Sequence, residues 1–254
     1  DAFGDKMVDI LNGGSIALMI SIGHRTGLFD TMAREGAVTS DDLAIAGGLN
    51  ERYVREWLGA MFTGKIVEYD PGPKTYELPA EHAAFLTRDA APDNVAAFTQ
   101  YIAVLGSVED KIVDCFENGG GVPYSEFPRF HDVMAEDSGQ SVLPALLDQI
   151  LPLVPGLTKR LEGGIDVLDV GCGLGQADLL MAATFPRSRF TGIDISEEAI
   201  SGATHAATAA GLENAVFEIR DATDLGYAGE YDLVTTFDAV HDQITPASVL
   251  AGIA

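Results

Sequence analysis

The sequence predicts an α/β fold: a parallel sheet in the final third, preceded by an all-helical region and a helix-turn-helix unit with a wing. Three observations predict it. From Ile165 onward short apolar strands alternate with helical patterns, as right-handed βαβ crossovers require. The first of these strands runs into a glycine-rich turn, Gly171-Cys172-Gly173-Leu174-Gly175, that opens a helix. Far upstream, residues 36–80 read as two short helices followed by two alternating strands around Asp70-Pro71-Gly72-Pro73.

A chain of 254 residues can bury a sizeable core and is expected to form two units. Its formal charge of -24 opposes general attraction to nucleic acid or to anionic lipid, which favours a small-molecule substrate. Two cysteines, Cys115 and Cys172, cannot make a disulfide framework and lack metal-ligand spacing, so reduced thiols are expected. The longest apolar run near the start, Ile16 to Ile20, is far shorter than the roughly 20 residues a membrane span needs. No signal-peptide pattern precedes it, and the expectation is a cytoplasmic protein without membrane or metal partners.

The elements follow in order. Gly27-Leu-Phe-Asp30 ends one helix, and Ser40 is the candidate N-cap of the next, with Asp41 and Asp42 in its first turn. Asn50 caps a helix to Phe62 in which Tyr53, Val54, Trp57, Leu58 and Met61 fall at amphipathic spacing. Lys65 to Tyr69 and Thr75 to Leu78 alternate as the strands of a wing. A DNA-binding role for this unit is disfavoured, because residues 36–80 hold four Lys or Arg against seven acids. The division expected is a winged-helix and dimerisation domain over 1–80, a helical connector and pocket lid over 81–163, and a cofactor domain over 164–254.

Within residues 81–163, breaks are expected at Ala91-Pro92-Asp93, at Gly119 to Pro123 and at Pro152 to Gly156. The stretch from Gly121 to His131 is the least regular and most aromatic, and serves either as a packed connector or as one wall of a substrate pocket. Tyr124, Phe127 and His131 are its candidate substrate residues. Four strands are then expected at Ile165–Val170, Phe190–Ile195, Ala215–Arg220 and Tyr231–Phe237. Gln176–Thr184 and Glu197–Ala210 form the helices between the first three.

The chemistry concentrates where strands end. Glycine at 171, 173 and 175 lets the backbone turn sharply and approach a ligand closely. A dinucleotide fingerprint would need Gly or Ala at position 176, which is Gln176. Asp169, just before the turn, would repel a pyrophosphate but suits a ligand carrying an ammonium and a sulfonium, so nicotinamide-dependent oxidoreduction is disfavoured. Asp194 ends the second strand, where a carboxylate can accept ribose hydroxyl bonds, and Asp221 ends the third, where it can accept from an adenine amino group beside the Ala222 N–H. Each acid alone could equally be a strand-end or cap residue; the ordered series is what points to a ligand.

Residues 165–242 resemble the successive motifs of class I S-adenosylmethionine-dependent methyltransferases. The winged-helix unit resembles that of small-molecule enzymes of the plant O-methyltransferase type and their bacterial relatives. That resemblance implies a Rossmann-like domain in which Asp169, Gly171, Gly173 and Gly175 line the methionine, Asp194 and Ile195 hold ribose and adenine, Asp221 and Ala222 meet the adenine edge, and Phe237 packs near the cofactor. It also implies a catalytic pair at His241 and Asp242, although the usual aromatic residue after the pair is Gln243 here. His241 would serve as a general base, with Asp238 or Asp242 orienting its ring. The function implied is methyl transfer from S-adenosylmethionine to a small-molecule acceptor by a homodimer; the alternative is a non-catalytic S-adenosylmethionine-binding or winged-helix regulatory protein. The family's sheet has seven strands, so about three are expected beyond Ala254, leaving the sheet C-terminally truncated with an apolar edge.

Overall fold

The structure, a computed structural model, describes residues 1–226 and 229–253. Ala254, to which the cofactor domain was expected to run, lies outside the described residues. The chain divides into two compact units, Asp1–Val133 and Met134–Ala254.

The first unit opens with helix α1 (Ala2–Thr26), which ends at Gly27 as expected, whereas Leu28 to Asp30, read as part of that end, begin the next helix. Gly13 and Gly14 sit in open space on this helix and do not interrupt it. Over its most apolar 18 residues the mean hydropathy is 1.2, and by length and composition alone it could cross a bilayer. Only 17% of that window is buried, so Ile16–Ile20 is part of a much longer apolar element than the sequence reading allowed. Helices α2 (Leu28–Glu35), α3 (Ser40–Gly47) and α4 (Glu51–Thr63) follow, then the antiparallel strands β1 (Glu68–Asp70) and β2 (Thr75–Glu77). This is the expected helix-turn-helix and wing, with shorter strands. The cap of α3 is Thr39, whose side chain accepts the Asp42 N–H, so Ser40 is the first helical residue and donates to Glu51 instead. Asn50 caps α4 as expected, accepting the Arg52 N–H.

The core of this unit is apolar and centres on Trp57. Phe29, Leu43, Leu58 and Met61 are fully enclosed around Trp57. The Trp57 indole donates to the Met19 carbonyl of α1 at 2.8 Å and meets Phe29 edge-on, with centroids 5.2 Å apart. Gly23 permits this: a Cβ there would lie 2.5 Å from the indole ring. Helices α5 (Ala80–Leu86), α6 (Gln100–Gly106) and α7 (Glu109–Asn118) complete the unit, and α8 begins in it (Phe130–Gln140).

The second unit carries α9 (Val142–Ala145) and α10 (Leu157–Gly163), then a four-stranded sheet. Its strands are β3 (Asp166–Val170), β4 (Arg189–Asp194), β5 (Ala215–Ile219) and β6 (Leu233–Thr235), all parallel in the order β5-β4-β3-β6. Helices α11 (Gln176–Thr184) and α12 (Glu197–Ala210) make the crossovers, and α13 (Pro246–Ile253) follows the last strand. The fourth strand has three residues rather than the seven expected. Because β4 and β5 build outward on one side of β3 and β6 returns on the other, the chain reverses its direction of winding at β3. Ligands on open parallel sheets bind outside the carboxyl ends of the strands at such a switch point.

Candidate functional site

The glycine turn lies at that switch point, between β3 and α11. Its three glycines all have positive φ, +76° at Gly171, +53° at Gly173 and +67° at Gly175. Their reasons differ. A Cβ at Gly171 would sit 2.4 Å from the Ala239 methyl, and one at Gly175 would sit 2.4 Å from the Phe217 ring. These two are glycine because protein packs against them. Around Gly173 there is nothing within 4 Å, so this residue leaves room for a close ligand.

The three acids stand at successive strand ends. Asp169 lies one residue before the end of β3, opposite Gly192 on β4 and Thr235 on β6. It is buried, and its Oδ1 accepts the Thr235 hydroxyl at 2.8 Å. Burial pushes its carboxyl up to about 6, against the lowering effect of that hydroxyl. Asp194 closes β4 and ties the turn down: Oδ2 accepts the Gly173 N–H at 3.0 Å and Oδ1 the Ser196 N–H at 2.8 Å. Each oxygen keeps a second lone pair for another donor. Asp221, two residues past β5, is exposed and accepts the Thr223 N–H and hydroxyl, which hold its carboxyl below the usual range. Ala222 packs on the small cluster of Leu168, Val170 and Ile193, whereas Ile195 is exposed.

The segment after β6 comes back over the turn, since Ala239 is the residue against Gly171. That contact sets the Asp238–Asp242 stretch beside the glycine turn. Phe237 packs into the larger core of the unit. His241 is exposed on a 3-10 turn with a carboxylate at each ring nitrogen: Nδ1 is 3.5 Å from Asp238 Oδ1 and Nε2 is 3.2 Å from Asp242 Oδ1. Asp238 takes φ +56°, a left-handed conformation uncommon for any residue but glycine. Gln243 donates its side-chain amide to the Ala239 carbonyl, locking the turn on itself.

Tyr124, Phe127 and His131 lie in the first unit and are gathered around Phe130. That ring stacks on Tyr124 at 4.9 Å, with Phe127 at 5.8 Å and His131 at 5.7 Å. No group of three or more His, Cys, Asp or Glu able to hold a metal occurs among the described residues.

Sequence reasoning passed over one residue. Asp178, in the first turn of α11, reads as an ordinary acid at a helix start, where the helix dipole favours it. In the fold it is fully buried, and neither carboxyl oxygen has a hydrogen-bond donor. Burial first and the neighbouring Asp169 second push it well above the usual carboxylate range. The Cys172 thiol is likewise pushed up, by burial and then by Asp178, Asp169 and Asp194.

A glycine turn at the switch point of a parallel sheet, with acids at successive strand ends, is the crevice where open parallel sheets bind ligands. The comparisons narrow the class. Residues 14–88 match the family described as Rv2258c-like winged HTH domain, and residues 161–254 match the family described as methyltransferase domain. The chain thus joins a winged helix-turn-helix domain to a methyltransferase domain. Among curated relatives, the ribosomal RNA small subunit methyltransferase C of Citrobacter koseri is 33% identical over 92 residues, 36% of this chain and 26% of that protein. The chain spans about a quarter of such a relative's length. Among solved structures, the mitomycin 7-O-methyltransferase MmcR aligns with a TM-score of 0.66 at 20% identity, covering 100% of this chain and 76% of that one. Human N-acetylserotonin methyltransferase, solved with S-adenosylmethionine, aligns at 0.64 and 19%, with the same coverage. The fold is that of S-adenosylmethionine-dependent methyltransferases.

Proposed function

We propose that this chain binds S-adenosylmethionine on the glycine turn and transfers its methyl group to a small-molecule acceptor. The observation that carries this reading is the pairing of an open Gly173 with acids at three successive strand ends. An anionic pyrophosphate would meet Asp169 unfavourably, whereas a ligand with an ammonium for Asp169 and two ribose hydroxyls for Asp194 suits both. In this reading Asp169, Gly171, Gly173 and Gly175 receive the methionine end, Asp194 and Ile195 the ribose and adenine, and Asp221 and Ala222 the adenine edge. Phe237 supports the site from the core side.

When bound, the cofactor supplies an electrophilic methyl on a sulfonium, displaced in line with a neutral thioether leaving. Positioning therefore contributes much of the acceleration, and a base matters where the acceptor must lose a proton. His241 fills that role, taking the proton on one ring nitrogen while a carboxylate on the other holds the ring. Both nitrogens face acids, so either Asp238 or Asp242 must give way to the substrate; Asp242, the nearer, remains as the pair's partner. Tyr124, Phe127 and His131, gathered around Phe130, are the candidate acceptor contacts in this reading.

The chain works as a homodimer in this proposal. Phe3, Met7, Val8, Ile10 and Leu11 of α1 are exposed apolar residues, a surface that a second copy would cover. The free thiols of Cys115 and Cys172 fit a reducing, cytoplasmic compartment. Methyl transfer from labelled S-adenosylmethionine to a panel of aromatic hydroxyl and amine acceptors tests the reading. Labelled product is expected with at least one acceptor, and binding of cofactor without turnover on any of them would sink the catalytic claim.

A further inference from the structure

The mechanism above leaves Asp178 unused. Its position is specific: on β4 the residue beneath it is Gly192, where a Cβ would lie 2.8 Å from Asp178 Oδ2 and 2.7 Å from the Phe217 ring. Only glycine there lets the carboxyl of α11 reach the sheet. Gly192 is also the register partner of Asp169, so the two acids meet over one pair of strands. Two carboxylates have no proton to share, and both Asp178 oxygens are without a donor. Such a contact is stable only when one of the two is a carboxylic acid, as in carboxyl dyads where like charges a few ångströms apart do not both ionise. The polar groups around the pair do not relieve it: Asp194 adds a third acid from the end of β4, the Cys172 thiol lies on the turn, and Thr235 already donates to Asp169. The Gln176 side-chain oxygen and the Thr236 hydroxyl oxygen, both buried, also lack partners.

We propose that Asp178 and Asp169 share one proton beneath the glycine turn and that a cationic amino-acid end of the cofactor displaces it, so cofactor binding releases a proton. The inference rests on the reading that the methionine end lies on this turn. The balance is simple: the pair passes from one negative charge to two, the proton goes to solvent, and the ligand ammonium compensates the added charge. Asp178 is thus a positioning residue that acts through Asp169. The linkage makes affinity for the cofactor rise with pH by up to about tenfold per unit while the pair holds its proton.

Calorimetric titration with S-adenosylhomocysteine, repeated at one pH in buffers of different ionisation enthalpy, tests this without turnover. Binding should release protons, with the amount depending on pH. 5′-Methylthioadenosine, which lacks the amino-acid end, should bind without release, and Asp178→Asn should bind S-adenosylhomocysteine with no release and a flat pH profile. Difference infrared spectroscopy of the unaltered chain should show a protonated-carboxyl band that disappears on adding S-adenosylhomocysteine, a readout that does not depend on any variant folding. Binding with no proton release, equal release by 5′-methylthioadenosine, or no such band overturns this proposal and leaves the cofactor assignment standing. No binding of S-adenosylhomocysteine at all removes the cofactor assignment and this proposal together.

Discussion

The core around Trp57 and the floor of the glycine turn are buried to the same degree and built on opposite terms. Around Trp57, apolar side chains interlock and the one buried indole N–H has its carbonyl. Beneath the turn, Asp169, Asp178, Gln176 and Thr236 bring polar atoms out of water, and several have no partner. Burying an unpaired polar group costs on the order of 1–3 kcal/mol, so the second arrangement is kept against stability. Proteins hold such groups where function uses them. The difference separates residues that make the fold from residues that make the site.

That separation can be broken in order of effect. His241→Ala should lower turnover by about 10²–10⁴-fold, the usual worth of a general base, while S-adenosylhomocysteine affinity stays unchanged. A parallel loss of affinity would make the residue structural. Leu58→Ala, in the fully enclosed core of the first unit, should cost about 2–5 kcal/mol in denaturant unfolding. Trp57 is the single tryptophan, so its fluorescence reads that unit alone.

The glycines sharpen the contrast further. Gly173→Ala and Gly175→Ala both place a side chain at positive φ, at roughly 1–2 kcal/mol of backbone strain. Only Gly175→Ala also drives a methyl into the Phe217 ring. Thermal melts should therefore drop clearly for Gly175→Ala and little for Gly173→Ala, with cofactor affinity lost in both. The smallest effect is a pH slope. Asp169 has a folded value near 6 against an ordinary one near 4, so between these the folded chain binds more protons than the unfolded one. Its contribution is favourable at low pH and is lost as pH rises from about 4 to about 6, the reverse of a salt-bridged carboxylate. Asp178→Asn should reduce that fall in melting temperature, and an unchanged slope would count against the buried pair.

Much of the second unit was legible in the sequence because it rests on local signals. Helices α11 and α12 have the bounds that their spacing predicted, and Gly171, Gly173 and Gly175 announced the turn. What escaped depends on the third dimension. Asp178 sits at a helix start that favours acids, and nothing local says that Gly192 draws it onto the sheet. The length of helix α1 escaped for a related reason: two adjacent glycines and a weak amphipathic period conceal how far the helix ending at Gly27 runs back. Ser40 and Thr39 are both good caps, and only backbone geometry chooses Thr39.

The central claim is that the strand-end acids select a cationic adenosyl cofactor over a pyrophosphate nucleotide. Affinities for S-adenosylhomocysteine and NAD, measured side by side by calorimetry, test it most directly. S-adenosylhomocysteine should bind at least about a hundredfold more tightly, a difference of roughly 3 kcal/mol. Equal or tighter binding of NAD would contradict the account.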